Sequence, residues 1–289
     1  MSAELSVIIP HKNISDLVIR CMKSIPDISE IEVFVCDDCS DQKERDAVKK
    51  YIGERHNVSY LQSEDALGGG HARNMGLCRA SGKWIMFSDA DDFFTKDMWT
   101  LFQSWKDSEN DIIYFKVNGV DSDTLEPVSR GFNYNQYVDD VLNNRDRAED
   151  RIRYFYMVPW GKMIRRSLIV SYDIKFEEIR ASNDVMFSTI AAYNAKKIQV
   201  CNKVLYTVTS RSNSLVKQKS RDILRCRYMA YLRQNKFLCV RGKRRFVIDL
   251  LRPMRDALLN FGIAEFTWYF MQTIKNKVNP FSSMKKLLG

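Results

Sequence analysis

The fold is decided by the stretch Lys83-Trp84-Ile85-Met86-Phe87-Ser88-Asp89-Ala90-Asp91-Asp92-Phe93-Phe94. Residues 84 to 88 are apolar or small, which is typical of a strand covered on both faces of a sheet. Three carboxylates follow, and because burying them unpaired is costly, we expect a cation nearby. Oxygen ligands without His or Cys suit Mg²⁺ or Mn²⁺, which also hold phosphates. The alternative is a polar turn in which Asp91 or Asp92 caps a helix from about residue 95 to 106.

Length and composition indicate a soluble globular protein. The chain has 289 residues, 45% of them hydrophobic and 28% charged, enough for one large domain with a sizeable core. We recognise no export signal, and no stretch reaches the roughly 20 apolar residues of a transmembrane helix. The 7 cysteines fit reduced thiols better than a disulfide framework. We therefore expect a cytoplasmic protein.

Charge is unevenly distributed along the chain. The formal net charge is +9, yet residues 211–289 alone hold 18 basic and 4 acidic residues. The rest of the chain holds 27 basic and 32 acidic residues, so a mildly acidic body carries a basic tail. Such a tail is expected to meet an anionic surface.

The first half of the chain alternates between apolar strands and amphipathic helices, which predicts an α/β fold with a mostly parallel sheet flanked by helices. Strands are predicted at 5–9, 31–36 and 58–61, helices at 14–24 and 41–51, and a later strand at 111–117. Polar residues follow the strands at 11–13, 37–38 and 89–92. Because ligands bind at the carboxyl ends of strands in open α/β sheets, we expect these loops to converge on one crevice.

A run of three glycines, residues 68–70, precedes a predicted helix that carries Arg73. Glycines before a helix let its free N–H groups approach an anion, and the Arg73 guanidinium suits a phosphate or the edge of a base. The run matches neither a P-loop nor G-x-G-x-x-G, so a plain flexible turn stays an alternative.

Four motifs follow one another in a fixed order and spacing, namely SVIIP at 6–10, VCDDCSD at 35–41, GGHARNMGL at 69–77 and DADD at 89–92. Together they resemble the family 2 glycosyltransferases over about residues 4–215. The chain is similar in this to bacterial capsule, O-antigen and lipopolysaccharide sugar transferases. The resemblance implies the GT-A fold, a Rossmann-like sheet that binds a nucleotide sugar.

The resemblance also implies roles for individual residues. Asp38 would read the nucleotide base, usually uracil, by accepting its imide N–H, with Pro10 and Lys12 beside the nucleotide. Asp91 would bind the metal, Mg²⁺ or Mn²⁺, and Asp89 would hold the ribose or assist the metal. The metal would spread the charge that develops on the departing diphosphate.

The second half of the family pattern is matched at residues 158–167, 174–176 and 182–187. Asp184 aligns with the catalytic base, which takes the proton of the acceptor hydroxyl in an inverting transfer without a covalent intermediate. The alternative is that residues 182–184 cap the helix predicted at 185–194. Asn183 stands where the family usually has Glu. The lost charge should lower the pKa of Asp184, and it leaves acceptor contacts by Asn183 open.

Three further residues are weaker candidates. Trp160 would stack on a sugar of the acceptor and Lys162 would meet a phosphate, with core packing and a snorkelling stem as the alternative for both. Arg211 lies in a stretch that resembles the end of the catalytic region in many relatives, and it would close over the diphosphate.

The pattern divides the chain into a catalytic domain, residues 1–215, and a basic amphipathic helical extension, residues 216–289. Within the domain, about 1–118 would bind the nucleotide sugar and about 119–215 would form the acceptor side. Basic helices with large aromatic residues suit the plane of an anionic membrane. The alternative is that the apolar stripe of the extension packs on the catalytic domain or on a second subunit, which would make a homo-oligomer.

The expected function is inverting, metal-dependent transfer of a hexosyl or N-acetylhexosaminyl group from a UDP-sugar to a glycan acceptor. A lipid-linked acceptor at the inner face of a bacterial membrane, in surface polysaccharide synthesis, is the setting that the family and the tail favour. A GT-A-like nucleotidyltransferase would need an N-terminal Lys and Gly-rich signature that residues 10–13 do not supply. A non-enzymatic basic adaptor for membrane or nucleic acid leaves the carboxylates unexplained, and we expect no nucleic-acid partner.

Overall fold

The computed structural model of the protein describes residues 3–211 and 220–280. Within these residues eight strands form a single sheet. The strands are β1 (Leu5–His11), β2 (Ile31–Asp37), β3 (Val58–Gln62), β4 (Trp84–Phe87), β5 (Phe93–Phe94), β6 (Ile112–Asp121), β7 (Lys162–Arg165) and β8 (Ile198–Ser210). Their order across the sheet is β3-β2-β1-β4-β7-β6-β8-β5.

The sheet is mostly parallel. Strands β3, β2, β1 and β4 run parallel to one another, and β6 runs parallel to β8. Strand β7 is antiparallel to both of its neighbours, and β5 is antiparallel to β8. All four residues of β4 are buried, which explains why this strand reads as a continuous apolar run. The predicted α/β fold is confirmed.

Helices flank the sheet and are numbered in chain order. They are α1 (Ser15–Lys23), α2 (Gln42–Ile52), α3 (Gly69–Arg79), α4 (Met98–Trp105), α5 (Phe132–Leu142), α6 (Ala148–Phe155), α7 (Arg166–Ser171), α8 (Asp184–Asn194), α9 (Arg221–Val240), α10 (Leu251–Phe261) and α11 (Ile263–Lys275). Most predicted elements agree with these bounds to within one or two residues. Helix α4 is an exception, because it begins three residues later than predicted.

Helix α3 lies close against the sheet, and Gly76 makes this possible. A Cβ at that position would lie 2.6 Å from Cγ2 of Ile8 and 3.0 Å from Sγ of Cys36. Since real Cβ atoms do not approach so closely, a larger residue would push α3 away from β1 and β2. The close approach brings Arg73, three residues earlier in α3, over the carboxyl end of the sheet.

The extension packs on the rest of the chain through α9. Leu238, Phe246 and Val247 form a buried cluster with Tyr154 of α6. A second cluster joins α9 to α10 and α11, and it includes Tyr228, Leu232, Leu250, Met254 and Tyr269. Part of the apolar stripe of the extension therefore packs within the chain. Among the described helices, none has both the length and the apolar character needed to cross a membrane.

Candidate active site

The loops after β1 and β2 meet the glycine run at Asp38. The Asp38 N–H donates to the His11 carbonyl at 2.8 Å, which joins the two strand ends. Its Oδ1 accepts the N–H of Gly68 at 2.8 Å, and its Oδ2 lies 3.6 Å from Nζ of Lys12. The carboxylate is buried, whereas Lys12 is exposed. The predicted convergence of strand-end loops is therefore present here.

Asp37 differs from Asp38 in what it does. Its carboxylate is fully buried and accepts both the backbone N–H and the hydroxyl of Ser40, so it holds the turn after β2. Nε2 of His11 lies 4.0 Å from the same carboxylate. Pro10 lies inside β1, opposite Cys36, because the strand continues past the predicted end to His11. Of the two acids, Asp38 is the less deeply buried, and its contact with a nucleotide stays a prediction.

The three carboxylates after β4 form one cluster, which we call the acidic cluster (Asp89, Asp91 and Asp92). One carboxylate oxygen from each lies within 4.8 Å of the others. Asp92 is buried and accepts the Thr209 N–H at 2.7 Å and the Tyr206 hydroxyl at 3.0 Å. The alternative in which Asp91 or Asp92 caps the next helix is wrong, because α4 follows Asp97 at its N-cap position. Asp92 is bonded to β8 instead.

Tyr206 of β8, which the sequence analysis did not identify, holds the acidic cluster in place through its hydroxyl. Its hydroxyl donates to Oδ2 of Asp92, accepts the Asp89 N–H at 2.9 Å and lies 3.0 Å from Oγ of Ser88. Burial raises the pKa of Tyr206 well above its ordinary value, and the charge of Asp92 raises it further, so the hydroxyl keeps its proton. No local sequence signal marks this residue, because its place follows from the pairing of Phe94 with Tyr206 in β5 and β8.

Two arginines offset the charge of the acidic cluster. Arg73 pairs with Oδ1 of Asp89, and Arg211 places Nε at 3.0 Å and Nη2 at 2.7 Å from Oδ2 of Asp91. Burial raises the pKa of Asp92 well above its ordinary value, and the charges of Asp91 and Asp89 raise it further. Like charges held this close are costly unless cations lie between them. The three carboxylates still repel one another in spite of the two arginines. They form an oxygen-only donor set, which fits Mg²⁺ or Mn²⁺.

Asp184 is the first residue of α8, and Asn183 precedes it at the helix N-terminus. Within the described part of the chain, the Asn183 side chain makes no capping hydrogen bond to the helix. Its Oδ1 instead accepts Nη1 of Arg73 at 3.1 Å. Arg73 therefore bridges Asn183 to Asp89, which brings the start of α8 to the acidic cluster. The helix-cap alternative does not account for Asn183.

Burial raises the pKa of Asp184, and the nearby charge of Arg73 opposes this shift. The charge of Asp89 raises it further, whereas Lys162 lowers it. The sequence led us to expect a lower pKa because Asn183 replaces an acid, but burial outweighs that substitution. A carboxylate with a raised pKa is a stronger base once ionised, which suits the abstraction of a proton from a hydroxyl near neutral pH.

Trp160 and Lys162 lie in the interior. The Trp160 ring stacks on Tyr206 with centroids 5.6 Å apart and is only 6% exposed. Nζ of Lys162 donates to the Tyr156 carbonyl at 2.6 Å, and the rings of Tyr114 and Tyr156 flank it. Burial lowers the pKa of Lys162 to about 7, and the charge of Asp184 opposes the shift. Core packing describes both residues here, and their contacts with sugar or phosphate stay predictions.

The mostly parallel sheet with its flanking helices is the GT-A type of α/β fold. Residues 6–172 match the model of glycosyl transferase family 2. The chain belongs to this family, as the four sequence motifs predicted.

Two of the similar proteins are bacterial glycosyltransferases. Poly(ribitol-phosphate) beta-N-acetylglucosaminyltransferase TarS of Staphylococcus aureus is 29% identical over 221 residues, which are 72% of this chain and 36% of TarS. Glycosyltransferase GlyG of Streptococcus pneumoniae is 25% identical over 242 residues, 78% of each chain. This chain thus spans about a third of the length of TarS.

The crystal structure of S. aureus TarS 1-349 in complex with UDP-GlcNAc has the same fold. It superposes with a TM-score of 0.70 over 94% of this chain and 81% of that chain, at 21% sequence identity. The family match ends at residue 172, whereas the shared fold covers 94% of this chain and so extends well past that residue.

Proposed function

We propose that the protein is an inverting, metal-dependent glycosyltransferase that moves a sugar from a UDP-sugar to a hydroxyl of a glycan acceptor. The observation that carries the proposal is the link through Arg73, which contacts Asp89 of the acidic cluster and Asn183 beside Asp184. The acidic cluster suits a metal-bound diphosphate, and Asp184 suits the proton of a hydroxyl. Arg73 connects the two. Such an arrangement needs no covalent intermediate.

Asp38 is proposed to select the nucleotide. A carboxylate that accepts an imide N–H discriminates against bases that lack this donor. One of its oxygens is held by the Gly68 N–H, which fixes the plane of the carboxylate, and the other faces Lys12. TarS is named an N-acetylglucosaminyltransferase and was crystallised with UDP-GlcNAc, which favours UDP and an N-acetylhexosamine for this chain.

Asp89 and Asp91 are proposed to hold Mg²⁺ or Mn²⁺, with Asp92 behind them. When bound, the metal supplies positive charge to the departing diphosphate. Arg211 contacts Asp91, so its guanidinium lies beside the proposed metal site. We propose that it turns from Asp91 toward the diphosphate.

Asp184 is proposed to accept the proton of the acceptor hydroxyl. Arg73 and Asn183 hold the start of α8 at the acidic cluster, which supports a role for Asp184 beside a sugar bound there. Burial raises its pKa, so the carboxylate is a stronger base, once ionised, than an exposed aspartate.

A lipid-linked glycan is the proposed acceptor, with the extension on an anionic membrane. Ile263, Phe270 and Ile274 lie on one face of α11 and are exposed, and Leu259 of α10 is 75% exposed. The excess of basic residues in this part of the chain complements anionic lipids. We expect sedimentation with vesicles of phosphatidylglycerol but not of phosphatidylcholine, and a loss in Ile263→Ser/Ile274→Ser. A variant that binds vesicles normally but no longer dimerises would assign this face to a second copy instead.

The proposal is tested by hydrolysis of a panel of nucleotide sugars with Mn²⁺ or Mg²⁺, since slow donor hydrolysis needs no acceptor. Wild type is compared with Asp91→Ala, Asp184→Asn and an EDTA-treated sample. We expect UDP release from one sugar that requires metal and is lost in Asp91→Ala. If the panel yields no cleavage and calorimetry detects no UDP binding, the transferase proposal fails and a binding role for the basic extension gains ground.

A further inference from the structure

The extension contacts the segment that leads into Asp184. Arg233 of α9 places Nε 2.5 Å from Oε1 of Glu177, and its Nη2 donates to Oε2 at 3.0 Å. This is an ion pair with one hydrogen bond between the extension and the loop at residues 177–183, which we call the base loop. Both side chains are partly buried, so the pair is less screened than a surface pair.

Glu177 in turn shapes the base loop. Its N–H donates to the Asn183 carbonyl at 3.2 Å and closes the loop on itself. A Cβ at Gly70 would lie 2.1 Å from the Glu177 carbonyl oxygen, so the loop also rests directly on the start of α3. Ser182 has a φ of 59°, in the left-handed region that residues other than glycine seldom adopt. Such a conformation persists only where its surroundings enforce it.

Helix α9 also holds the far end of α8. The rings of Tyr193 in α8 and Phe237 in α9 meet edge to face with centroids 5.4 Å apart. Arg233 and Phe237 lie one turn apart on α9, so one helix contacts the approach to α8 and its last turn. Burial raises the pKa of Tyr231, which Arg227 opposes and the charge of Asp184 augments, as expected if α9 lies in the field of that carboxylate.

We propose that Arg233 is a positioning residue for Asp184. By holding Glu177 it fixes the base loop, and the base loop fixes the direction of the Asp184 carboxylate toward the acceptor. The extension is then part of the acceptor side, in addition to any surface that it contacts. The inference rests on the proposed function for its kinetic readout, and the ion pair itself can be tested without it.

The kinetic test compares Arg233→Ala, Arg233→Lys and Glu177→Gln with Lys236→Ala, an exposed residue three positions further along α9. We expect kcat for UDP release to fall about tenfold in Arg233→Ala and Glu177→Gln, because small displacements of a reacting group have large effects on rate. The KM for the UDP-sugar should stay within about twofold, since the donor contacts are elsewhere. Arg233→Lys should recover part of kcat, because it keeps the charge but not the fork.

Two further measurements separate positioning from general stability. The double variant Arg233→Ala/Glu177→Gln should lose no more kcat than either single variant, since both remove the same contact. The limb of the pH profile that reports Asp184 should shift in these variants but not in Lys236→Ala. Unchanged kcat in folded Arg233→Ala or Glu177→Gln, or equal losses in Lys236→Ala, would overturn the proposal.

Hydrogen exchange distinguishes this failure from a failure of the proposed function. Amides of residues 177–184 should exchange faster in Arg233→Ala than in wild type and Lys236→Ala, whether or not any UDP-sugar is cleaved. If wild type cleaves no UDP-sugar, the proposed function fails, but the exchange result still tests whether the Arg233–Glu177 ion pair holds the base loop. Unchanged exchange in the base loop would show that Arg233 does not hold it.

Discussion

The hydroxyl of Tyr206 in β8 donates to the carboxylate of Asp92 at 3.0 Å and accepts the Asp89 N–H at 2.9 Å. One buried oxygen thereby joins two members of the acidic cluster, which follows β4, to β8, three strands further along the sheet. The conformation of the loop after β4 is therefore set by a residue more than a hundred positions later in the chain.

Replacing Tyr206 with Phe should loosen the acidic cluster. The buried Asp92 carboxylate and the Asp89 N–H would each lose a partner, which costs about 1–3 kcal/mol of stability. Affinity for Mn²⁺ should fall about tenfold or more, as for other residues that orient metal ligands. Urea unfolding and calorimetric Mn²⁺ titration would measure the two effects. Tyr193→Phe, at a partly exposed position in α8, is the matched control, and an unchanged Mn²⁺ affinity in Tyr206→Phe would contradict the assignment.

Arg211→Ala should separate metal binding from nucleotide binding. Without nucleotide, Arg211 competes with a metal for Oδ2 of Asp91, so the variant should bind Mn²⁺ a few times more tightly. The KM for the UDP-sugar should rise, because a cation for the diphosphate is lost. Lys203→Ala, an exposed residue of β8, removes a charge of the same sign as a control. Weaker Mn²⁺ binding by Arg211→Ala would show that the arginine supports the metal site instead.

Asp184→Asn should lose activity and gain stability. The pKa of Asp184 is raised in the folded protein, so ionising it costs folding free energy. The contribution of Asp184 to the wild-type free energy of unfolding falls as the pH rises from its ordinary pKa of 3.8 through its raised pKa in the folded protein. Asn does not ionise, so the variant lacks this fall. The stability difference should therefore grow across this window and then level off, while turnover drops about a hundredfold or more. Denaturant unfolding from pH 4 to 8 checks this, with Asp107→Asn at an exposed position as control. A difference that does not vary with pH would count against a buried, ionised Asp184.

Lys162→Met should change how stability depends on pH in the opposite range. Burial lowers the pKa of Lys162 from 10.5 to about 7, so the folded protein sheds a proton that the unfolded chain keeps. Wild-type stability from this group rises between about pH 7 and 10.5, by up to about 1.4 kcal/mol per pH unit. The variant lacks this rise, so its advantage should be largest below pH 7 and shrink above it. Unfolding at several pH values with Lys203→Met as control measures the trend, and parallel curves would contradict it.

The crevice could be predicted from the sequence because its residues follow strand ends at motif positions. Asp38 and Lys12 come together, and so do Arg73 and Asp89, since the parallel strands before them end at one edge of the sheet. Nothing local marks Tyr206, whose role arises from the pairing of β5 with β8. Arg233 is one of many basic residues in the extension, and only its place opposite Glu177 distinguishes it.

The burial of Trp160 and Lys162 could not be predicted from the motif. Both stand at positions that match the family pattern, yet the sequence does not say which face of β7 and its approach points inward. In the structure the Trp160 ring lies on Tyr206 and the Lys162 ammonium lies on the Tyr156 carbonyl. Burial depends on how the elements pack, which a short motif does not encode.

The order of the strands constrains how the protein is made. The acidic cluster is synthesised by residue 92, but its bonds to Thr209, Tyr206 and Arg211 come from the end of β8 and the residue after it. A nascent chain, or a fragment ending at residue 172 where the family match ends, holds the three carboxylates and Arg73 but lacks these partners from β8 and the residue after it. On the proposed function, capture of a metal or a nucleotide sugar would therefore await nearly the whole sheet.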